Sequence, residues 1–241
     1  MSTKVFCIGN GESRKNFNLD LLKPHGKIYG CNALYRDFTP DFLVACGSQA
    51  IIDEIADSGY TTDNIVYSNS IHLLDHPGKF YLIPYDPYAD AGTAAAYVAA
   101  FDGHKKIYLI GFDGQDTPGI NHNIYANTNG YDPKNVDQEI EDFGWRASLR
   151  VLVNTYNDVD FVWVTPYGRN LISNRLKSCS NFRQISFRDF VLKWACIVFS
   201  AEESDFINNE TITSKSQAIN HDWSHSSQTF KRISKTTLIN I

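Results

Sequence analysis

The stretch KVFCIGNGES, residues 4–13, decides the fold. Its apolar first half leads directly into Gly9, Asn10 and Gly11, and a continuous apolar run of this kind is typical of a buried parallel strand. The glycines permit positive φ and let a ligand approach main-chain N–H groups, while Ser13 is a helix-capping residue type. The stretch therefore predicts the strand, turn and phosphate-binding helix of a nucleotide-binding α/β domain. A glycine pair without the third glycine of the dinucleotide fingerprint is also compatible with a tight turn that holds no ligand.

Apolar runs bounded by turn residues recur along the rest of the chain. They lie at residues 27–30, 42–46, 65–68, 80–83, 107–110 and 161–164, and the clearest helix patterns lie at 50–58, 92–102 and 139–156. This alternation predicts a doubly wound, mainly parallel, Rossmann-like α/β sheet. We expect one domain over residues 1–190 and a poorly ordered C-terminal extension, rich in Ser, Thr and Asn, over residues 191–241.

Composition narrows the classes of partner. The chain has 241 residues, a net charge of -5 and no basic run, which argues against a nucleic-acid partner. Its five cysteines include no Cys-x-x-Cys pair, so we expect reduced thiols and no metal site. The sequence shows no leader pattern, and its late apolar run at 194–199 is far shorter than the roughly 20 residues of a membrane span. We therefore expect a cytoplasmic protein without an integral membrane segment. A homo-oligomer, in which the C-terminal extension contacts a neighbouring subunit, stays an open alternative.

Polar residues and glycines follow several of the predicted strands. In a doubly wound sheet, ligands bind beyond the carboxyl ends of the strands, so these residues mark the candidate site. Asn32 offers a donor and an acceptor, and Thr93 begins a helix whose N-terminus suits phosphate. Each such residue taken alone has an ordinary use in a turn or a helix cap. The predicted binding residues are Gly9, Asn10, Gly11, Asn32, Ser68, Asn69, Gly92, Thr93, Gly111 and Asp113.

A long polar loop follows the strand at residues 107–110. It spans residues 113–133, is rich in Asn and Gly, and carries His122, Tyr125 and Tyr131. Loops of this length in compact domains are often functional, and we expect an active-site lid here. An imidazole titrates near neutral pH, so His122 is the candidate general base.

Four segments together resemble a known family. They are KVFCIGNGES at residues 4–13, YGCN at 29–32, YSNS at 67–70 and AGTAAAYVAAFDGHKKIYLIGFDG at 91–114. Their order and spacing resemble the bacterial sialyltransferases of glycosyltransferase family 42, and the related motility-accessory and pterin diphosphokinase-like proteins of the same nucleotide-binding fold. The resemblance covers residues 4–168 and is strongest at the first and sixth predicted strands.

The resemblance implies an activity and roles for residues of this chain. The substrate would be a nucleotide-activated sugar, CMP-linked, bound without metal or other cofactor and transferred to a glycan or small-molecule acceptor. Asn10 and Asn32 would contact the nucleotide, and Gly92 with Thr93 would contact phosphate. Tyr125 and Tyr131 would hydrogen-bond the departing phosphate, which a phenol can stabilise where no metal does.

The chain departs from the family at the catalytic histidine, whose position falls at Ile140, between Glu139 and Glu141. Either His122 or one of these glutamates takes that role, or the chain is not a sialyltransferase. The sequence leads us to expect an inverting glycosyltransferase in which a base deprotonates the acceptor hydroxyl and loop donors stabilise the leaving phosphate.

Two other functions stay open at this point. One is diphosphate transfer to a pterin alcohol, which would need Mg²⁺ held by carboxylates such as Asp113 and Asp116. The other is nucleotide binding without catalysis, because a shared fold does not determine function.

Overall fold

Eight parallel strands form one sheet in a computed structural model of the chain, which describes residues 4–84, 89–113, 122–131, 145–166, 172 and 174–193. The strands are β1 (Lys4–Ile8), β2 (Lys27–Cys31), β3 (Phe42–Ala45), β4 (Val66–Ser68), β5 (Tyr81–Leu82), β6 (Lys106–Ile110), β7 (Asp160–Thr165) and β8 (Phe182–Ser186). The predicted doubly wound α/β fold is therefore confirmed, and every described strand pairing is parallel.

The strand order is β5-β4-β3-β2-β1-β6-β7-β8. The chain thus builds outward from β1 to β5 and then returns to place β6 on the other side of β1. This reversal makes the gap between the carboxyl ends of β1 and β6 the topological switch point, which is where open α/β sheets bind their ligands.

The chain divides into two units. The larger comprises Met1–Lys15 and Leu19–Phe187 and contains all eight strands. The smaller comprises Asn16–Asn18 and Arg188–Ile241, and its described residues 188–193 are helical.

The sheet core is built from the continuous apolar runs. In β1, the side chains from Val5 to Ile8 are fully buried, as are those from Ile107 to Ile110 in β6. Strands covered by helices on both faces have no polar face, which explains why these runs do not alternate.

The described α-helices are short. They are α1 (Gln49–Asp57), α2 (Tyr60–Asp63), α3 (Ser70–Asp75), α4 (Ala91–Phe101), α5 (Trp145–Thr155) and α6 (Asn174–Lys177). The longest, α4 and α5, have 11 residues each. No helix within the described ranges has the length and apolar character that crossing a membrane requires.

The segment after β1 differs from the prediction. Instead of an α-helix capped by Ser13, it forms a 3₁₀ helix at Glu12–Arg14, whose N-cap is Gly11, and a second one at Leu19–His25. Such a short 3₁₀ helix offers no aligned α-helical N-terminus for a phosphate. The expected phosphate-binding helix after β1 was therefore wrong.

Helix α4 packs closely on the sheet because its side chains are small. All residues from Ala91 to Ala100 are buried, and the helix contacts β1, β2 and β3. A helix buried along its whole length needs small residues where it approaches a sheet, since close-packed interiors leave no room for larger ones.

We expect Ala95→Leu to lower the free energy of unfolding by about 1–3 kcal/mol, because the added carbons overpack a fully buried position. Urea denaturation measures the change. Ala50→Leu, the same substitution at an exposed position of α1, is the control and should have little effect. Equal losses in the two variants would contradict the packing assigned to α4.

Candidate functional site

The turns after β1 and β6 meet at the switch point. The Gly9 amide donates to the Ile110 carbonyl at 2.8 Å, and the Gly11 amide donates to the Gly111 carbonyl at 2.8 Å. A Cβ atom on Gly9 would lie 2.4 Å from the Gly111 oxygen, and Gly111 itself has a φ of +73°. Glycine is therefore required on both sides of this contact.

Asp113 braces the turn after β1. Its carboxylate accepts a hydrogen bond from the Ser13 amide at 2.8 Å, and a Cβ on Gly11 would lie 2.4 Å from its Cγ. Burial raises the pKa of the Asp113 carboxyl, while the Ser13 hydrogen bonds and the nearby charge of His122 lower it. Within the described residues, no group of three or more His, Cys, Asp or Glu side chains could hold a metal ion, and Asp116 lies outside those residues.

The described part of the long loop, residues 122–131, lies across this edge of the sheet. The Glu12 amide donates to the His122 carbonyl at 2.8 Å, and the Ile124 amide donates to the Asn10 carbonyl at 2.9 Å. At its other end, the Gly130 carbonyl accepts from the Ser48 hydroxyl at 3.0 Å. The segment therefore extends from the turn after β1 to the start of α1.

An ion pair anchors the far end of this segment. The Arg36 guanidinium donates two hydrogen bonds of 2.6 Å to the Glu54 carboxylate and one of 2.8 Å to the Thr128 hydroxyl. The Asn129 side chain also donates to Glu54, at 2.7 Å. Hydrogen bonding to Arg36 holds the pKa of the Glu54 carboxyl at about 2, well below its usual value.

Asn10 connects the glycine turn to Tyr131. Its Nδ2 donates to the Cys31 carbonyl and to the Tyr131 hydroxyl, both at 3.2 Å. The Tyr131 hydroxyl also accepts a hydrogen bond from the Ala33 amide at 3.3 Å. No described residue accepts a hydrogen bond from the Tyr131 O–H. Burial raises the pKa of Tyr131 to about 12, so its O–H stays protonated at neutral pH and can donate to a ligand.

The Tyr125 hydroxyl, unlike the Tyr131 hydroxyl, both donates and accepts within the described residues. Its hydroxyl donates to the Asp37 carboxylate at 2.6 Å and accepts from the Arg14 Nη2 at 3.2 Å. The proton of this phenol is therefore already donated within the protein, unlike that of Tyr131.

His122 presents an unused nitrogen at this edge. Its Nε2 is buried and has no hydrogen-bond partner among the described residues. Its carbonyl accepts from the Glu12 amide, and its side chain lies near the Asp113 carboxylate. A buried ring nitrogen without a partner is costly and needs an explanation, and one explanation is a proton exchanged with a ligand.

The predicted residues of β4 and α4 are engaged in local hydrogen bonds. The Ser68 hydroxyl donates to the Ala45 carbonyl, and Asn69 caps α3 by accepting from the His72 amide. Both the amide and the hydroxyl of Thr93 donate to the Asp90 carboxylate, at 3.0 and 2.6 Å. An anion at the N-terminus of α4, where Gly92 is also buried, would compete with this carboxylate.

Asn32 lies in a left-handed turn after β2. Its φ is +45°, and its Oδ1 accepts from the Cys46 amide at 3.1 Å. The hydrogen bond ties the ends of β2 and β3 together. No described residue accepts from the Asn32 Nδ2, which stays available as a donor.

Sequence reasoning missed Arg14. This residue is only 5% exposed, and its Nε donates to the Gly9 carbonyl at 2.5 Å. Its Nη2 reaches the Asn10 Oδ1 at 3.4 Å as well as the Tyr125 hydroxyl. Its position directly after the Gly-Asn-Gly-Glu-Ser run was the only signal in the sequence, and basic residues in turns are ordinarily solvated.

Comparison with protein-family models, curated proteins and solved structures finds no match to this chain.

The Glu54 ion pair predicts a pH dependence. Because the pKa of Glu54 is lower in the folded chain than its ordinary 4.5, its contacts stabilise the fold above that pH and lose this effect as the pH falls toward 2. The difference in unfolding free energy between the wild type and Glu54→Gln should therefore be constant above about pH 5 and shrink at lower pH.

Chemical denaturation at several pH values measures this difference. Asp57→Asn removes a carboxylate from the same helix outside the cluster and serves as the control. A Glu54→Gln difference that grows as the pH falls would contradict the assignment.

Proposed function

We propose that this protein is a metal-independent inverting glycosyltransferase that uses a nucleotide-activated sugar, CMP-linked by resemblance. The observation that carries the proposal concerns two polar groups, His122 Nε2 and the Tyr131 O–H, for which the described residues supply no partner. Both belong to one segment held against the Gly9–Gly11 turn at the switch point. One group can take a proton and the other can donate a hydrogen bond. An inverting transfer needs both functions.

In the proposed reaction, His122 removes the proton of the acceptor hydroxyl as its oxygen attacks the anomeric carbon. The bond from that carbon to the phosphate oxygen breaks, and the nucleotide leaves as a phosphate. Tyr131 donates a hydrogen bond to the leaving phosphate. Tyr125 acts indirectly, because its own proton is already donated to Asp37.

Asn10 and Asn32 contribute to nucleotide binding in this proposal. Asn10 is 8% exposed, and its side chain donates to the Tyr131 hydroxyl, so its contribution is largely to orientation. Asn32 keeps its Nδ2 available for a ribose hydroxyl or a base. Glu139 and Glu141, the alternative bases, lie outside the described residues.

Release of CMP from a CMP-linked sugar, with and without acceptor, tests the proposal. His122→Ala should lower kcat by about 10²- to 10⁴-fold, the usual effect of losing a general base, with little change in CMP affinity. Tyr131→Phe should also lower kcat, and Tyr125→Phe should lower it less. His25→Ala, at the opposite edge of the sheet, is the control.

Other outcomes favour other functions. Full activity in His122→Ala together with its loss in Glu139→Gln or Glu141→Gln would make a carboxylate the base. Diphosphate transfer to a pterin alcohol that is abolished by EDTA and restored by Mg²⁺ would favour the pterin diphosphokinase-like alternative. CMP binding without turnover of any nucleotide sugar would favour nucleotide binding without catalysis.

A further inference from the structure

The buried guanidinium of Arg14 has no anionic partner among the described residues. An arginine side chain stays protonated in proteins, and a buried charge is costly unless it is paired. No carboxylate of the described residues lies within 4.0 Å of it. The Asp37 carboxylate is connected to Arg14 through the Tyr125 hydroxyl, which accepts from Arg14 and donates to Asp37.

Within the described ranges, Arg14 donates hydrogen bonds to neutral groups alone. The Nε–H donates to the Gly9 carbonyl, and Nη2 donates to the side chains of Asn10 and Tyr125. These contacts fix the guanidinium plane, while Nη1 donates to no described residue. These hydrogen bonds therefore orient the Arg14 guanidinium and leave its Nη1 without an acceptor among the described residues.

We infer that Arg14 binds a phosphate group, using Nη1 and its unpaired charge at the carboxyl ends of β1 and β6. Guanidinium groups recognise phosphate with charge-assisted hydrogen bonds, which are stronger than neutral ones. Taking this phosphate to be that of a nucleotide sugar rests on the proposed function. Binding of the anion itself does not.

The surroundings of Arg14 suit an anion that accepts several hydrogen bonds, as phosphate does. The Asn10 side-chain amide accepts a hydrogen bond from Arg14 and donates one to Tyr131. Arg14 and Tyr131 therefore lie on either side of Asn10, and each has a donor for which the described residues supply no acceptor. A tetrahedral phosphate can accept from several donors at once, which suits this pair. We therefore place the phosphate at Arg14 and not at Thr93, because the Thr93 amide and hydroxyl already donate to the Asp90 carboxylate.

Isothermal titration calorimetry with inorganic phosphate, CMP and cytidine tests the inference. Wild-type protein should bind phosphate, and CMP more tightly than cytidine. Arg14→Gln should weaken phosphate and CMP binding about 10- to 100-fold, the usual effect of losing a hydrogen bond from a charged group, while leaving cytidine affinity unchanged. Arg14→Lys should lie between the two. Lys15→Gln, at the exposed neighbouring position, should match the wild type.

Two results would overturn the inference: no binding of phosphate or CMP to the wild type, or equal binding to the wild type and Arg14→Gln. The failure of the proposed function has a different signature. Phosphate would then bind in an Arg14-dependent way while CMP bound no more tightly than phosphate.

A second measurement applies if Arg14→Gln does not unfold cooperatively. The Nε–H resonance of Arg14 in the wild type can be assigned by its absence from the spectrum of Arg14→Lys. Titration with phosphate should shift this resonance. An unmoved resonance at a phosphate concentration that shifts others would count decisively against Arg14.

Discussion

The close approach of two backbone turns, after β1 and after β6, is the constraint on which the rest of the site depends. The Gly11 amide donates to the Gly111 carbonyl, and the space between the turns is too small for a side chain on Gly9. Strands β1 and β6 are neighbours in the sheet, and the strand order reverses between them. At this switch point the two turns are joined by backbone hydrogen bonds. The backbone positions from which Arg14 and His122 extend follow from this contact.

A connected set of polar side chains is built on that contact. Arg14 hydrogen-bonds the Gly9 carbonyl and Asn10, and Asn10 hydrogen-bonds Tyr131. Among the described residues, the Arg14 charge has no anionic partner, the Tyr131 phenol has no acceptor, and His122 Nε2 has no hydrogen-bond partner. Buried polar groups are ordinarily satisfied, since leaving one unpaired costs about 1–3 kcal/mol. In the proposed function, a ligand supplies the missing partners of these groups.

The sequence predicted the sheet well because its strands are continuous apolar runs, and it placed the polar loops together because parallel strands end at a common edge. It missed β8, whose sequence FRQIS mixes polar and apolar residues. It also misplaced a helix after β1, since Ser13 suits a cap but its amide binds Asp113 instead. The burial of Arg14 was not predictable, because it depends on contacts with Tyr125, which is distant in sequence.

We propose that a nucleotide binds at the carboxyl ends of β1 and β6. An ¹H–¹⁵N correlation spectrum of the full chain, recorded during titration with CMP, tests it most directly. We expect the amide resonances of Gly9, Gly11, Asn32 and Tyr131 to shift together, while those of Gly26 and Gly103, at the opposite edge of the sheet, stay unchanged. Shifts confined to that opposite edge, or no shifts at saturating CMP, would contradict it.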